Sequence, residues 1–355
     1  MFDLPPKISS LDARYEAQKI SFGPVVFQVA RTLRTTGLLM ALDNVADKGF
    51  TIEEAMHACD LKRYTVVVLF EGGLSAKILK KIDNHWLITP IGRFLLHDEL
   101  TRVNMDFVQD VCYRGLADFD QSVVQEHPHG LREFGENWNT IYEALQFLPE
   151  PAKTSWFAFD HFYSDSTFPE LLQIAFSTAP KRLLDIGGNT GKWALKCLKH
   201  NPDVEVTIAD LPDTLSRAVA NVEAAGFPDR IRSHAINLLQ PDAALPKGFD
   251  VVWMSQFLCC FSEAQVTSIL TRARAALSPG GRILINDTFW DRQEHEIAAY
   301  CIINSSPYFT AMANGNSKMY SAEDMLRMCD IAGLRLIDAV DGIGYGHTVF
   351  SFTAS

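Results

Sequence analysis

The chain has 355 residues, 47% of them hydrophobic, which is enough for two domains with cores of their own and excludes a disordered chain. Its 43 Asp and Glu outnumber 32 Lys and Arg, and the net charge of −11 opposes general affinity for nucleic acid or an anionic membrane, which basic side chains would have to drive. No run approaches about 18 uncharged apolar residues, and MFDLPPKISS has no basic stretch leading into an apolar one, so a cytoplasmic location is expected.

Residues 27–44 place Val29, Leu33, Leu38 and Leu42 at helical spacing, and 49–79 read as helix, short turn, helix. Strand-like pieces at 76–82 and 84–88 follow, joined at Asp83-Asn84, and Thr89-Pro90 opens another helix. This is a winged-helix pattern. A DNA-reading second helix would present polar and basic residues, whereas Tyr64 to Phe70 after Lys62-Arg63 is core material, which argues against DNA.

Residues 101–180 carry aromatics at helical spacing, among them Tyr142, Trp156, Phe157 and Phe162. From 181 the pattern alternates as a parallel sheet requires, with strands at 183–186, 204–210, 230–237, 249–257 and 281–289 and helices at 192–199, 213–225, 262–276 and 321–332. The last strands, 334–340 and 347–352, are joined too briefly for a crossover and should be antiparallel. Seven cysteines, an odd number with no C-x-x-C pair, indicate neither a disulfide framework nor a zinc site.

The rest of the chain is organised around PKRLLDIGGNTGKWALKCLKH, 180–200: a buried strand ending at Ile186, a turn Gly187-Gly188-Asn189-Thr190-Gly191, and a helix from Lys192. Such a turn suits a nucleotide, because glycines let the backbone approach a ligand and the helix offers unpaired N–H groups. A G-x-G-x-x-G fingerprint ending at Gly191 would put Ile186 in its first slot, so a dinucleotide fits poorly. Asp185 at the strand tip would repel a pyrophosphate but favours an ammonium or a sulfonium-bearing amino acid, and Asp210, ending the second strand, can take both ribose hydroxyls.

Here the chain resembles the class I S-adenosylmethionine-dependent methyltransferases, and more narrowly the O-methyltransferases of the caffeate, chalcone and hydroxyindole type with their bacterial relatives. The resemblance implies an α/β fold: a Rossmann-like seven-stranded sheet behind a mostly helical winged-helix dimerisation domain. It assigns residues 1–100 to dimerisation, 101–178 to a helical connector contributing to the acceptor pocket, and 179–355 to S-adenosylmethionine binding. It also implies a homodimer acting on a small-molecule acceptor, aromatic or polyketide-like, with neither a metal nor a membrane or nucleic-acid partner.

For the cofactor the resemblance points to Asp185 and Gly187 near the methionine moiety, Asp210 at the ribose with Leu211 after the second strand, Asn237 and Leu238 at the adenine, and Ser255 at the end of the fourth strand. Asn237 stands where the family usually has Asp, and Ser255 where many plant members have Lys. The family's proton acceptor is a histidine in a His-Asp-Trp-Ser run, but here the run is Cys259-Cys260-Phe261-Ser262. Asp287 keeps the acid after the fifth strand, while Met319 replaces a later Glu. O-methylation is expected from the family; loss of the histidine leaves C-methylation open, since an activated carbon needs a weaker base. His347 is the candidate replacement base, and Cys259 is expected to line the pocket without titrating. The alternative is a non-catalytic or repurposed S-adenosylmethionine-binding protein descended from such enzymes.

Overall fold

The computed structural model describes residues 2, 8–135, 138–164, 167–240 and 242–355, and the chain divides into two units, Met1–Gln109 and Asp110–Ser355. The first unit runs α1 Ser10–Ser21, α2 Gly23–Thr35, α3 Leu38–Val45, α4 Ile52–Cys59 and α5 Arg63–Ser75. It continues through β1 Leu79–Ile82 and β2 His85–Ile88 to α6 Pro90–His97 and α7 Glu99–Phe107.

Local chemistry sets these boundaries. Thr51 caps α4 reciprocally with Glu54, whose carboxylate accepts from the Thr51 N–H at 2.7 Å, satisfying two donors that a helix start leaves unpaired. The hairpin pairs Leu79 with Ile88 and Ile82 with His85, so the turn falls at Asp83-Asn84 as expected. Leu33, Leu38, Leu39, Leu42, Val66 and Phe70 bury completely in one core. Val66 and Phe70 belong to α5, so the helix after Lys62-Arg63 spends its apolar face on packing. By contrast, α1 buries no residue and leaves Leu11 and Ile20 exposed.

The second unit opens with α8 Phe119–Gln125, α9 Ile141–Ala144, α10 Ala152–Ser164 and α11 Phe168–Ala175. Then β3 Arg182–Ile186, α12 Lys192–His200, β4 Glu205–Asp210, α13 Pro212–Ala224, β5 Ile231–Ala235 and β6 Phe249–Ser255 alternate. The chain ends with α14 Glu263–Ala276, β7 Leu277–Asp287, α15 Glu296–Tyr308, α16 Ala322–Ile331, β8 Leu334–Ile343 and β9 His347–Ala354. Among the described residues the large sheet has the order β5-β4-β3-β6-β7-β9-β8. β3 to β7 pair in parallel, and β9 runs antiparallel to both β7 and β8.

A parallel sheet is covered on both faces, and its central strands are correspondingly apolar throughout. Val251 to Met254 of β6 are all buried; Val252 and Met254 join the core beneath α14 and α16, and Val251 and Trp253 the core beneath α11 to α13. β7 begins at Leu277 rather than 281 because Leu277 already pairs with Phe249 before the register shifts. α15 is a further helix that the sequence reading does not include; Pro307 stands inside it, where its pyrrolidine ring normally argues against a helix.

Candidate active site

In an open α/β sheet, ligands bind beyond the carboxyl ends of the strands, where the strand order reverses. That point here is the gap between β3 and β6, and the turn after β3 enters it. Gly187 has φ +75°, and a Cβ there would run into the Phe257 ring, so that ring lies directly on the glycine. A Cβ on Gly188 would fall 2.8 Å from Asp185 Oδ2. Gly191 has φ +78° and caps α12 in the left-handed region.

Asp185 is 3% exposed, and its Oδ2 is buried without a hydrogen-bond partner. Burial, and secondarily the Asp210 charge, push its carboxyl up to about 8. Asp210 Oδ2 accepts from the Asn189 N–H at 2.9 Å and Oδ1 from the Leu211 N–H at 2.7 Å. Burial raises the Asp210 carboxyl too, opposed by those two backbone donors. Each oxygen keeps a second lone pair for a ligand. After β5, Asn237 Oδ1 accepts from the Leu239 N–H at 2.9 Å, and Leu238 is buried with its carbonyl held by Arg272 Nη2 at 2.8 Å. Ser255, ending β6, accepts from Asn286 Nδ2 at 2.8 Å. Asp185, Gly187, Asp210, Leu211, Asn237, Leu238 and Ser255 thus all sit at the carboxyl ends of β3 to β6 or just beyond.

The other predicted residues have different surroundings. Cys259 lies in a single turn after β6 and is 6% exposed. Its thiol is pushed well up by the neighbouring Cys260 thiol and by burial, and also by the charges of Asp287 and Asp160. Asp287, ending β7, is 4% exposed, accepts from the Thr288 N–H at 2.9 Å, and is pushed by burial up to about 7. His347 is fully buried, and burial pushes its imidazole down to about 4.

Several contributors carried no motif. Asp160 of α10 accepts from Asn189 Nδ2 at 3.3 Å and acts electrostatically on Cys259 and Tyr308, so it joins the glycine turn to the cysteines. Tyr308 accepts from Trp156 Nε1 at 2.7 Å, and the Tyr142 hydroxyl is buried among Cys259, Cys260 and Tyr308. Asn314 Nδ2 donates to the Cys260 carbonyl at 2.6 Å, fixing the turn. The one signal for Asp160 was an acid inside an otherwise aromatic run, Trp156 to Tyr163.

The chain matches the model of the O-methyltransferase domain over residues 168–342 and that of the Dimerisation2-like domain over 14–86. It belongs to the S-adenosylmethionine-dependent methyltransferases built from these two domains. The L-tyrosine C(3)-methyltransferase of Streptomyces lavendulae is 25% identical over 306 residues, 85% of this chain and 81% of that one. The aclacinomycin 10-hydroxylase RdmB of Streptomyces purpurascens is 26% identical over 278 residues, 74% of this chain and 69% of that one. Among solved structures, the S-adenosylmethionine-dependent methyltransferase SibL in its apo form superposes with a TM-score of 0.69 at 26% identity, covering 95% of this chain and 98% of that one.

The methyltransferase's donor turn fits S-adenosylmethionine, the family's cofactor. The unpartnered Asp185 oxygen offers a buried carboxyl that a cationic amino-acid moiety would ionise on contact, and the bare glycines leave room for close approach. Asp210 offers acceptors for a ribose diol, and Asn237, Leu238 and Ser255 stand at the neighbouring strand ends. When bound, the cofactor supplies a methyl group already activated as a sulfonium.

Proposed function

We propose that this methyltransferase alkylates a small phenol-bearing aromatic acceptor at the ring carbon beside the hydroxyl, with Asp287 accepting the phenolic proton. The observation carrying this reading is the buried Asp287 carboxyl, raised to about 7 and within electrostatic reach of Cys259, which stands where the resemblance expects a histidine. A general base works best when its own pKa lies near the working pH, and an ordinary surface carboxylate would be too weak. Loss of the phenolic proton raises electron density at the neighbouring ring carbon, so attack on the methyl needs no base at that carbon. The ring hydrogen it replaces is then shed to solvent as a proton, which restores the aromatic ring, and Asp287 returns the phenolic proton to the oxygen. Side chains from the 101–178 segment, Tyr142, Trp156 and Asp160, would line the acceptor side, and burial there would exclude water. The relative that acts at C3 of tyrosine supports carbon over oxygen.

Mass spectrometry of S-adenosylhomocysteine formation with a panel of phenols, and NMR of the product, test this. A ring C-methyl signal is expected; an O-methyl ether would restore the family's usual outcome. The relative named as a hydroxylase keeps a second reading in view, a repurposed cofactor-binding protein. No S-adenosylhomocysteine with any acceptor would favour it.

The same proposal includes a homodimer and a cytoplasmic site of action. The Dimerisation2-like match and the uncovered apolar residues of α1 support the first, and seven free cysteines fit a reducing compartment. Among the described residues no helix is long and apolar enough to cross a membrane. Light scattering should give twice 39.7 kDa.

A further inference from the structure

Behind the glycine turn, two polar side chains far apart in sequence are held to each other. Gln256 follows the last residue of β6 with φ +48°, a conformation that a residue with a Cβ keeps only when its surroundings hold it there. Its N–H donates to the Asn286 carbonyl at 2.9 Å, and its side-chain Nε2–H donates to Nε2 of His347 at 2.6 Å. With Nε2 accepting, the imidazole proton resides on Nδ1, buried beside the Ile343 carbonyl. The next residue is Phe257, whose ring lies on Gly187 and meets Phe261 edge-on at 4.8 Å. A shift of the Gln256 bend would therefore displace the ring that walls the donor turn.

We infer that His347 is a positioning residue of the donor site: by holding the Gln256 amide it fixes the left-handed bend after β6, and with it the Phe257 ring against Gly187. This rests on the glycine turn being the S-adenosylmethionine site. It assigns His347 a task other than proton acceptance. The ring has no exposed surface for an acceptor to reach, and an imidazole held near 4 is neutral throughout the range in which such an enzyme works.

The test is calorimetry with S-adenosylhomocysteine on the parent chain, His347→Ala, His347→Gln, Gln256→Ala and the His347→Ala/Gln256→Ala double variant. Each alanine variant should weaken binding about 3- to 10-fold, the range for loss of one neutral hydrogen bond. The double variant should bind no more weakly than either single one, because both break the same contact. His347→Gln, whose amide carbonyl can accept from Gln256, should recover most of the loss, and the pH profile of turnover should keep its shape throughout. If His347→Ala binds as tightly as a binding-competent parent, or loses the acidic limb of the pH profile, the inference fails. Should His347→Ala unfold, Gln256→Ala at its half-buried position makes the same break without disturbing β9, and unchanged affinity there is equally fatal. A parent chain that binds no S-adenosylhomocysteine would remove the cofactor reading itself, and this inference with it.

Discussion

The two halves of the site are built on different terms. The donor half, at the ends of β3 to β5, is made of bare glycines, backbone N–H groups and two acids, one of them with an unpartnered buried oxygen. The proposed acceptor half is made of side chains: two adjacent thiols after β6, a buried carboxyl at the end of β7, and the phenols Tyr142 of α9 and Tyr308 of α15. The donor is the same molecule for every member of the family, so backbone geometry can specify it. An acceptor that differs from one enzyme to the next is specified by side chains, and there the resemblance expects a histidine where this chain has Cys259.

Asp287→Asn should break the acceptor half alone. Loss of a general base costs roughly 100- to 10,000-fold in turnover, whereas affinity for S-adenosylhomocysteine should stay within about threefold. Loss of both together would show that the halves are one unit. Asp210→Ala should do the converse. Charge-assisted hydrogen bonds of about 1.5 to 3 kcal/mol are removed, so calorimetry should find affinity down on the order of 10- to 150-fold. Unchanged binding would mean that the ribose is held elsewhere.

Cys259→Ser sharpens the contrast within the acceptor half. Its thiol is raised well above the ordinary range, so it stays protonated, and turnover should remain within about tenfold of the parent. A fall of two or more orders of magnitude, with donor affinity intact, would make the thiol a participant.

The smallest effect is a proton. Asp185, raised to about 8, is mostly protonated at pH 7 in the free protein, and an ammonium-bearing ligand favours its ionised form. Binding of S-adenosylhomocysteine at pH 7 should therefore release up to about one proton, seen as heats that differ between phosphate and Tris buffers. Stability follows the same sign. Asp185 and Asp287 hold protons more tightly folded than unfolded, so their contribution is complete below about 4 and is lost as pH rises through about 7 and 8. His347, lowered to about 4, acts oppositely but only below its ordinary value of 6.5. The Tm of the free protein should fall between pH 6.5 and 8.5; a rise would mean that the buried acids are already ionised.

The fold was legible because its signals are local. Glycines after LLDI, alternating strands and helices, and a connection too short for a crossover before His347 each dictate a neighbour in sequence. The donor residues shared that advantage, since the ends of successive parallel strands converge wherever such a sheet forms. The long-range side-chain pairings that hold both halves did not. Asp160 meets Asn189 across 29 positions, Gln256 meets His347 across 91, and Trp156 meets Tyr308 across 152. No periodicity encodes such pairs. α15 has no one-sided apolar stripe, since Ile297 and Tyr300 are exposed while Ala299 and Ile302 are buried, so helical spacing does not announce it.

Trp193 and Trp253 stack with centroids 4.4 Å apart and planes 22° from parallel, one in the first turn of α12 after Gly191, the other on β6 opposite Asp185 in the strand register. Two indoles so close share their electronic transitions, and Trp193 stands two residues beyond Gly191, the last glycine of the donor turn. The molecule thus carries an intrinsic chromophore: its near-ultraviolet circular dichroism and tryptophan emission should report occupancy of the donor turn without any label. The nearer ring, Trp193, has a buried Nε1–H with no partner, which makes its emission sensitive to any polar group brought within reach.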